Sequence, residues 1–368
     1  MGKLGLCRYP VYASWMDSAS ADALAAQMGI YGYVYEPQTS AEGLDTVTND
    51  GSSFLFAGVD TGPSPPMPNV WVVPSVAQGV AIVFNVPIDG VQLEELNITR
   101  EELADVFLGT IQLWSELAPR NPSLASVHEK IALVVQKDPG MVSYILTNAL
   151  SRFSPEWNAK VGSSSNPRWP WPAFMAAGDA GVAIQVMRTP YSLGYTSLSA
   201  IASTGARKAR VSNKAGSFVL PANSTVVAAM DAFEGELNEM GMSENRTDFS
   251  LRIVDPAQHA PDAYPIAGFT YFAFDIARLN VNSLRAIIFL IHWSWTNVQA
   301  AKAASRFGFI PISPRVSKSI LSALNRIRFS AGSDSCPDQP SEQAIFSELQ
   351  TVMFMISGQI HGAGPSNP

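Results

Sequence analysis

The chain has little charge, little cysteine and little histidine. Charged side chains make up 15% of its 368 residues and hydrophobic ones 47%, a balance that excludes an intrinsically disordered chain. The two cysteines and four histidines are scattered without the spacing of metal ligands, so we expect no metal site. No histidine has a serine or cysteine nearby in a recognisable nucleophile setting, and no catalytic residue or cofactor is expected.

Positive charge is especially scarce. The chain carries 24 Lys and Arg against 31 Asp and Glu, a net charge of -7, and its densest basic run is only Arg207 to Arg210. A nucleic-acid-binding surface needs far more positive charge, so nucleic acid is not an expected partner. Paired carboxylates and a phosphate-cradling GxxxxGK[ST] motif are also absent, which makes an enzyme the least favoured class.

Long hydrophobic runs are absent as well. The longest, Ala286 to Trp295, is interrupted by His292 and is too short to span a bilayer. The first fifteen residues are too interrupted for a secretory signal, so a signal, if one exists, was removed or lies outside this sequence. Glycosylation sequons at Asn97, Asn223 and Asn245 permit a eukaryotic secretory setting without proving one.

The two cysteines stand near opposite ends of the chain. Cys7 and Cys336 can form a disulfide only if the two termini meet in space, and otherwise they are unpaired. The sequence leaves both arrangements open.

The most informative segment runs from Ile131 to Leu150. It reads as a buried strand (IALVV), a polar turn from Gln136 to Gly140, and then a helix. A strand that feeds a helix through a tight turn directs backbone N–H groups, at the positive end of the helix dipole, into the crevice. This arrangement suits an anion.

Strands and helices alternate along the rest of the chain, which predicts an α/β fold with a parallel-rich sheet. Thr99 and Glu102 form a capping box at the start of a helix whose apolar face holds Leu103, Val106 and Phe107. The other predicted elements are a turn at PQTSAEG, a strand ending at Asp60, two strands at VWVVP and GVAIVFNVP, a strand at YPIAGFTYFAF, a helix from Ser224 to Met240 capped by Asn223 or Ser224, and one long helix at LRAIIFLIHWSWTNVQAAKAASRFG ending at Gly308.

Four segments follow one another in an order that carries a family resemblance. They are VFNVP with ITREELADVFLGTIQLWSE, SPEWNAKVGSSSNPRWP, AGDAGVAIQVMRTPYSLGYTSLSA and YPIAGFTYFAF. In this order the chain resembles the periplasmic phosphate-binding proteins of ABC importers, over most of residues 4–329. The resemblance implies a two-lobe type II periplasmic-binding-protein fold, with mixed sheets flanked by helices and a ligand cleft between the lobes.

The resemblance also implies domain boundaries. Lobe one would comprise residues 1–86 and 263–329, and lobe two residues 87–262. Residues 330–368 would form a C-terminal tail with one probable helix. In that tail, apolar residues from Ala344 to Ile356 recur every three or four positions, as on one helical face. Such a helix either packs on its own lobe or provides a surface for a partner chain or a following module.

The ligand site is likewise implied by the resemblance. In the family, phosphate is held by a Thr after the first strand, a Ser in a Gly-rich turn, an Asp that accepts a proton from the ligand, an Arg, and a Ser-Gly-Thr turn. Aligning the motifs keeps the Ser and the Asp, puts Arg8 at the Thr and Gln136 at the Arg, and replaces the Ser-Gly-Thr turn. The candidate ligand-binding residues are Arg8, Ser40, Asp60, Gln136, Lys137, Gly140, Met141 and Val142.

Two functions are therefore weighed. The first is a solute-binding domain that holds phosphate or another small anion in the cleft, weakened because charge-assisted hydrogen bonds worth about 1.5–3 kcal/mol each are missing. Arg8 and Lys137 are the residues that could replace the lost charge. The alternative is a degenerate domain that serves as an extracellular sensor or interaction module, such as a receptor or cyclase ectodomain, without phosphate binding. Both imply an extracellular or periplasmic location.

Overall fold

One long strand organises the fold. In the computed structural model, which describes residues 40–49, 54–63, 67, 69–233, 253–256, 259–279 and 281–324, residues Val70–Asn85 form a single sixteen-residue strand. The prediction of two strands here was wrong. Pro74 lies beside a β-bulge, where the register with the neighbouring strand shifts, and a bulge tolerates a residue that lacks an N–H donor.

This strand lies in the middle of a seven-stranded sheet. Its members are β1 (Ala57–Val59), β2 (Val70–Asn85), β6 (Ala132–Gln136), β7 (Phe174–Ala176), β8 (Ser192–Ser197), β11 (Ala267–Asp275) and β12 (Ile310–Pro311). The spatial order is β1-β11-β2-β8-β6-β7, with β12 also paired to β2. Two smaller sheets are formed by β3 (Pro87–Ile88) with β4 (Val91–Gln92), and by β5 (Asn97–Ile98), β9 (Arg210–Ser212) and β10 (Phe218–Val219).

The large sheet has two halves that differ in strand direction. In the antiparallel half, β1, β11 and β12 extend from residues 70–79 of β2, and every pairing is antiparallel. In the parallel half, β8 pairs with residues 80–85 of β2 and is followed by β6 and β7, which are joined by parallel pairings. The sheet is therefore mixed, as the resemblance implied. The prediction of a parallel-rich sheet was wrong, because β11 and β12 return antiparallel to β2.

Ten helices accompany these strands in the described part of the chain. They are α1 (Ser40–Thr48), α2 (Arg100–Leu108), α3 (Met141–Phe153), α4 (Pro155–Lys160), α5 (Gly178–Arg188), α6 (Leu198–Thr204), α7 (Asn223–Ala232), α8 (Val281–Thr296), α9 (Val298–Arg306) and α10 (Pro314–Leu324). Short 3-10 turns span Trp114–Leu117 and Pro122–Leu124. Among the described residues, none of the helices combines the length and the hydrophobicity that a membrane span requires.

The capping box that opens α2 is confirmed. The Thr99 hydroxyl accepts a hydrogen bond from the Glu102 N–H at 3.0 Å, and the Glu102 carboxylate accepts one from the Thr99 N–H at 2.9 Å. The predicted apolar face of Leu103, Val106 and Phe107 is completely buried. Local sequence therefore determines this helix, because both bonds connect residues only three positions apart.

Three other helix predictions needed correction. The predicted turn at residues 37–43 is helical from Ser40 onward, as part of α1. The N-cap of α7 is Ala222, and the hydroxyl of Thr225 accepts a hydrogen bond from the Ala222 N–H in place of a polar cap. The single long helix is two helices, because the Asn297 side chain caps the first N–H groups of α9. Gly308 follows α9 with a left-handed φ of 76°, consistent with its predicted role at the helix end.

Helices cover both faces of the large sheet. On one face, α3 packs so closely on β11 that a Cβ added at Gly268 would lie 2.5 Å from Cγ1 of Ile145. On the other face, a Cβ added at Gly194 of β8 would lie 2.9 Å from Val186 of α5. Gly268 pairs with Gln78 and Gly194 with Val83, and these two β2 residues alternate to opposite faces. The predictions for Arg8, Cys7, Cys336 and the tail lie outside the described residues.

Candidate functional site

The candidate site lies where the parallel strands end. Strands β6, β7 and β8 share one direction, so their carboxyl ends lie on the same edge of the sheet, and α3, α5 and α6 begin there. The helix after β6 lies on one face and the helix after β7 on the other. Neighbouring strands whose helices diverge in this way leave a crevice between them, which is the usual ligand position in open α/β sheets.

Of these three helix N-termini, two are occupied by side chains of the chain itself. At α5, the Asp138 carboxylate accepts a hydrogen bond from the Gly178 N–H at 3.1 Å, and Asp179 accepts one from the Ala180 N–H at 2.9 Å. At α6, the Ser197 hydroxyl accepts a hydrogen bond from the Ala200 N–H at 3.1 Å. Neither helix therefore has its first N–H groups fully available to a ligand.

The N-terminus of α3 is different. Its N-cap is Gly140, which has no side chain to offer, and the N–H groups of Val142 and Ser143 meet no acceptor among the described residues. Unpaired N–H groups and the helix dipole together favour an anion in front of this helix. The Gly140 N–H itself donates to the Ser165 carbonyl at 3.0 Å, which fixes the turn that leads into the helix.

Gln136 ends strand β6 just before this turn. Its side chain is buried, with 8% of the residue exposed, and its Oε1 has no hydrogen-bond partner in the described structure. The Gln136 N–H donates to the Tyr195 hydroxyl at 3.2 Å, and that hydroxyl lies 2.6 Å from the hydroxyl of Ser143 in the first turn of α3. Tyr195 therefore ties the end of β6 to the start of α3.

Tyr195 keeps its proton at any physiological pH. Burial raises the pKa of its hydroxyl to about 12, although the hydrogen bonds with Ser143 and Gln136 act in the opposite direction. Sequence reasoning missed both Tyr195 and Ser143. The available signal was a tyrosine inside the buried strand GYTS, because a buried tyrosine hydroxyl usually finds a polar partner.

Gln78 is a second buried amide that sequence reasoning missed. It is 5% exposed, and its Oε1 has no hydrogen-bond partner among the described residues. It pairs with Gly268, so it projects on the face where Ile145 packs, one turn into α3. Because β8 ends at Ser197, opposite Val80, Gln78 lies just beyond the carboxyl end of β8.

Ser40 and Asp60 contact each other in the antiparallel half. The Ser40 hydroxyl accepts a hydrogen bond from the Asp60 N–H at 3.1 Å. Desolvation raises the pKa of the Asp60 carboxyl from 3.8 to about 7. Asp60 follows Val59, which pairs with Tyr271, and Gly268 lies three residues farther along the same strand, about 10 Å away. Both Asp60 and α3 thus approach one short stretch of β11.

The remaining candidates occupy different positions. Met141 and Val142 are buried, whereas Lys137 is exposed and its N–H donates to the Ala176 carbonyl at 2.8 Å. No hydrogen bond joins the Ser40–Asp60 pair to the segment 136–142 within the described residues. In the same part of the chain, no group of three His, Cys, Asp or Glu residues is placed to hold a metal.

Comparison with known proteins places this geometry in context. The sequence profile of the PBP superfamily domain matches residues 12–286. The phosphate-binding protein PstS of Methanocaldococcus jannaschii is 30% identical over 269 residues, which are 69% of this chain and 67% of that protein. The chain spans about two thirds of the length of this and the next curated relatives.

Solved structures agree with the fold. A high-affinity periplasmic phosphate-binding protein bound with phosphate has a TM-score of 0.56 at 19% identity, covering 93% of this chain and 97% of its own. An ABC-type phosphate transport receptor from Vibrio cholerae has a TM-score of 0.53 at 14% identity, covering 84% and 99%. The predicted fold class, an α/β fold of two lobes with mixed sheets, is confirmed.

Proposed function

Because the chain belongs to the PBP superfamily and resembles its PstS members, we propose that it is a solute-binding domain that holds phosphate in its cleft. The observation that carries the proposal is the N-terminus of α3. Two of its N–H groups, those of Val142 and Ser143, meet no acceptor in the described structure. Phosphate oxygens supply those acceptors.

The two halves contribute different groups to the proposed site. From the parallel half come the N–H groups at the start of α3, with Gln136, Lys137, Gly140, Met141 and Val142 around them. From the antiparallel half come Ser40 and Asp60, and Arg8 is assigned to the same side by the family alignment. An ionised Asp60 accepts a hydrogen bond from a hydroxyl of the ligand. The hydrogen bond between Asp60 and Ser40 supports the position of Asp60 beside the cleft.

We keep the proposed boundaries of the lobes at residues 1–86 with 263–329, and at 87–262. Strand β2 changes hydrogen-bond partner from β11 to β8 near Gly79, a few residues before the first proposed boundary, so residues 80–85 pair with the second lobe. Two ion pairs support the return boundary. Asp255, just before the return, is held in the second lobe by Arg100 at 2.9 Å and Lys214 at 3.1 Å.

The proposed affinity is lower than in relatives that keep an arginine at the position of Gln136. An amide carries no positive charge and cannot form the bidentate fork of a guanidinium with phosphate, so its contacts with the ligand are weaker. Lys137 is exposed, and a single ammonium group does not reproduce the fork of an arginine. The site we propose acts by binding alone, and the extracellular or periplasmic side of a membrane is its proposed location. No observation favours the alternative of an interaction module without a ligand.

Calorimetric titration with inorganic phosphate tests the proposal. We expect a one-site isotherm for the unmodified chain and weaker binding after Asp60→Asn, since that change removes the proton acceptor. The matched control is Asp89→Asn, because Asp89 is exposed on the β3–β4 hairpin, outside the crevice. The proposal fails if millimolar phosphate produces neither heat nor a rise in melting temperature.

A further inference from the structure

We propose that the Ser143 hydroxyl donates a hydrogen bond to the bound phosphate, and that Tyr195 fixes the direction of this donor. The inference rests on the proposed function and goes beyond it, because neither residue belongs to the set that the family resemblance implied. Ser143 is in this account a ligand-binding residue, and Tyr195 is a positioning residue that acts through it.

The first observation is a count of protons. The hydroxyls of Tyr195 and Ser143 lie 2.6 Å apart, so the bond between them uses one of their two protons. The Tyr195 oxygen also accepts from the Gln136 N–H at 3.2 Å, and neither hydroxyl has a further hydrogen bond in the described structure. Tyr195 and Ser143 are 0% and 1% exposed. One buried proton of the pair is therefore left without an acceptor, which native structures rarely tolerate.

The second observation decides which hydroxyl holds the spare proton. A phenol is more acidic than an aliphatic alcohol and is therefore the stronger hydrogen-bond donor of the two. The Tyr195 oxygen is also already occupied as an acceptor by the Gln136 N–H. Tyr195 therefore donates to Ser143. The bonds run in one direction, from Gln136 to Tyr195 and from Tyr195 to Ser143, and the Ser143 proton remains available.

The third observation is where this proton lies. Gly140 is the N-cap of α3, so Ser143 is the third residue of the helix, and its Cα–Cβ bond tilts toward the helix N-terminus. The N–H groups of Val142 and Ser143 belong to the same turn and also meet no acceptor among the described residues. Three donors thus lie at one helix end, where the helix dipole favours an anion that supplies three acceptors.

Two neighbouring rings hold Tyr195 in place. Phe107 of α2 packs edge-on against the Tyr195 ring with ring centroids 6.1 Å apart, and Trp169 lies at 5.8 Å in a tilted arrangement. Aromatic contacts of this kind favour defined ring orientations. The Tyr195 hydroxyl is therefore a fixed point, whereas the hydrogen of the Ser143 hydroxyl can rotate about the Cβ–Oγ bond to reach a ligand.

The direction of these bonds also orients the ligand. All three groups at the start of α3 are donors, so they bind phosphate oxygens that carry no proton. The acceptor in the proposed site is the Asp60 carboxylate, which takes a hydroxyl of the ligand. Phosphate therefore lies with its unprotonated oxygens toward the parallel half of the sheet and with a hydroxyl toward the antiparallel half.

Calorimetric titration with inorganic phosphate tests both residues in one double-mutant cycle. Ser143→Ala should weaken binding at least about tenfold, because it removes a hydrogen bond to a charged ligand. Tyr195→Phe should weaken binding by a smaller factor, because the Ser143 hydroxyl remains but loses its fixed direction. In the Ser143→Ala background, Tyr195→Phe should change the affinity by less than about twofold, since it then has no donor to direct.

A matched control lies on the same helix. Ser151 is about two turns farther along α3, and its hydroxyl donates to the Thr147 carbonyl at 2.8 Å. Ser151→Ala should leave the phosphate affinity unchanged. Thermal melts without phosphate confirm that each variant folds. If Ser143→Ala does not fold, Ser143→Cys takes its place and should also weaken binding, because a thiol is only a weak donor.

The outcomes separate the inference from the proposed function. If the unmodified chain binds phosphate and the Ser143 variant binds it equally well, the inference is wrong and the proposed function stands without it. If Tyr195→Phe weakens binding equally in both backgrounds, Tyr195 acts through the packing of α3, and its role through Ser143 is wrong. If the unmodified chain binds no phosphate, the proposed function and the inference fail together.

Discussion

The two halves of the large sheet approach the cleft with opposite chemistry. The antiparallel half brings an ionisable group, Asp60, whose pKa is raised by desolvation to about 7 and whose backbone is held by Ser40. The parallel half brings groups that do not titrate near neutral pH, namely helix N–H groups and the Gln136 amide. The comparison indicates that pH sensitivity of the protein would arise in the antiparallel half, and the proposed ligand would be oriented by the parallel half.

The contact between the two halves of the sheet offers the most direct test of this comparison. At Gly268 of β11, an added Cβ would lie 2.5 Å from Cγ1 of Ile145 in α3. Gly268→Ala should therefore lower the free energy of unfolding by about 1–3 kcal/mol, measured by urea denaturation. Gly181→Ala is the control, because the nearest atom is 3.8 Å from its added Cβ, and alanine favours a helix by up to about 1 kcal/mol. Equal effects of the two changes would show that the halves do not meet tightly.

Two helix caps, one in each half, should have smaller effects on stability that are similar in size. Thr99 caps α2, which belongs with the parallel half, and Asn297 caps α9, which precedes β12 of the antiparallel half. Replacing either residue with alanine should cost about 1 kcal/mol in urea denaturation. A much larger loss of stability for one of the two substitutions would show that its cap also stabilises the rest of that half of the sheet.

The effect of the Asp60 carboxyl differs from the others because it depends on pH. Its folded pKa of about 7 lies above the ordinary value of 3.8, so the folded chain holds the proton more tightly than the unfolded chain. Stability therefore falls as pH rises from about 4 to 7, and the loss remains above 7. Asp60→Asn should melt like the unmodified chain near pH 4 and at a higher temperature near pH 8. Asp89→Asn, on an exposed turn, should show no such divergence.

The sequence predicted what short-range interactions determine. The strand–turn–helix segment from Ile131 and the capping box of α2 were correct, because each depends on residues within a few positions of one another. The length of β2 was not predictable, since Pro74 is tolerated only through a bulge opposite Tyr271, nearly two hundred residues away. Local sequence also gave no warning that Asn297 would divide a long apolar run into two helices.

The candidate site shows the same limit. Gly140, Met141 and Val142 could be placed at a helix start from the pattern alone, and their role in binding stays a prediction. The burial of Gln78 could not be predicted from the sequence, because the direction of its side chain depends on its pairing with the distant Gly268. Tyr195 was equally hidden, since its hydroxyl reaches Gln136 and Ser143 only after three separate elements have assembled. Sequence identifies the elements, and non-local pairing decides which side chains share a crevice.

The unbroken course of β2 has a mechanical consequence. The strand pairs with β11 up to Gly79, with β12 at Val76 and Ala77, and with β8 from Val80, so each half is hydrogen-bonded to its own length of the same backbone. Any hinge motion between the halves would then change backbone torsion angles at the one or two peptide units where the partners change. The hydrogen bonds on either side oppose translation of one half along β2, whereas rotation about the strand leaves them intact. Opening and closing would therefore be a twist about β2, centred on Gly79.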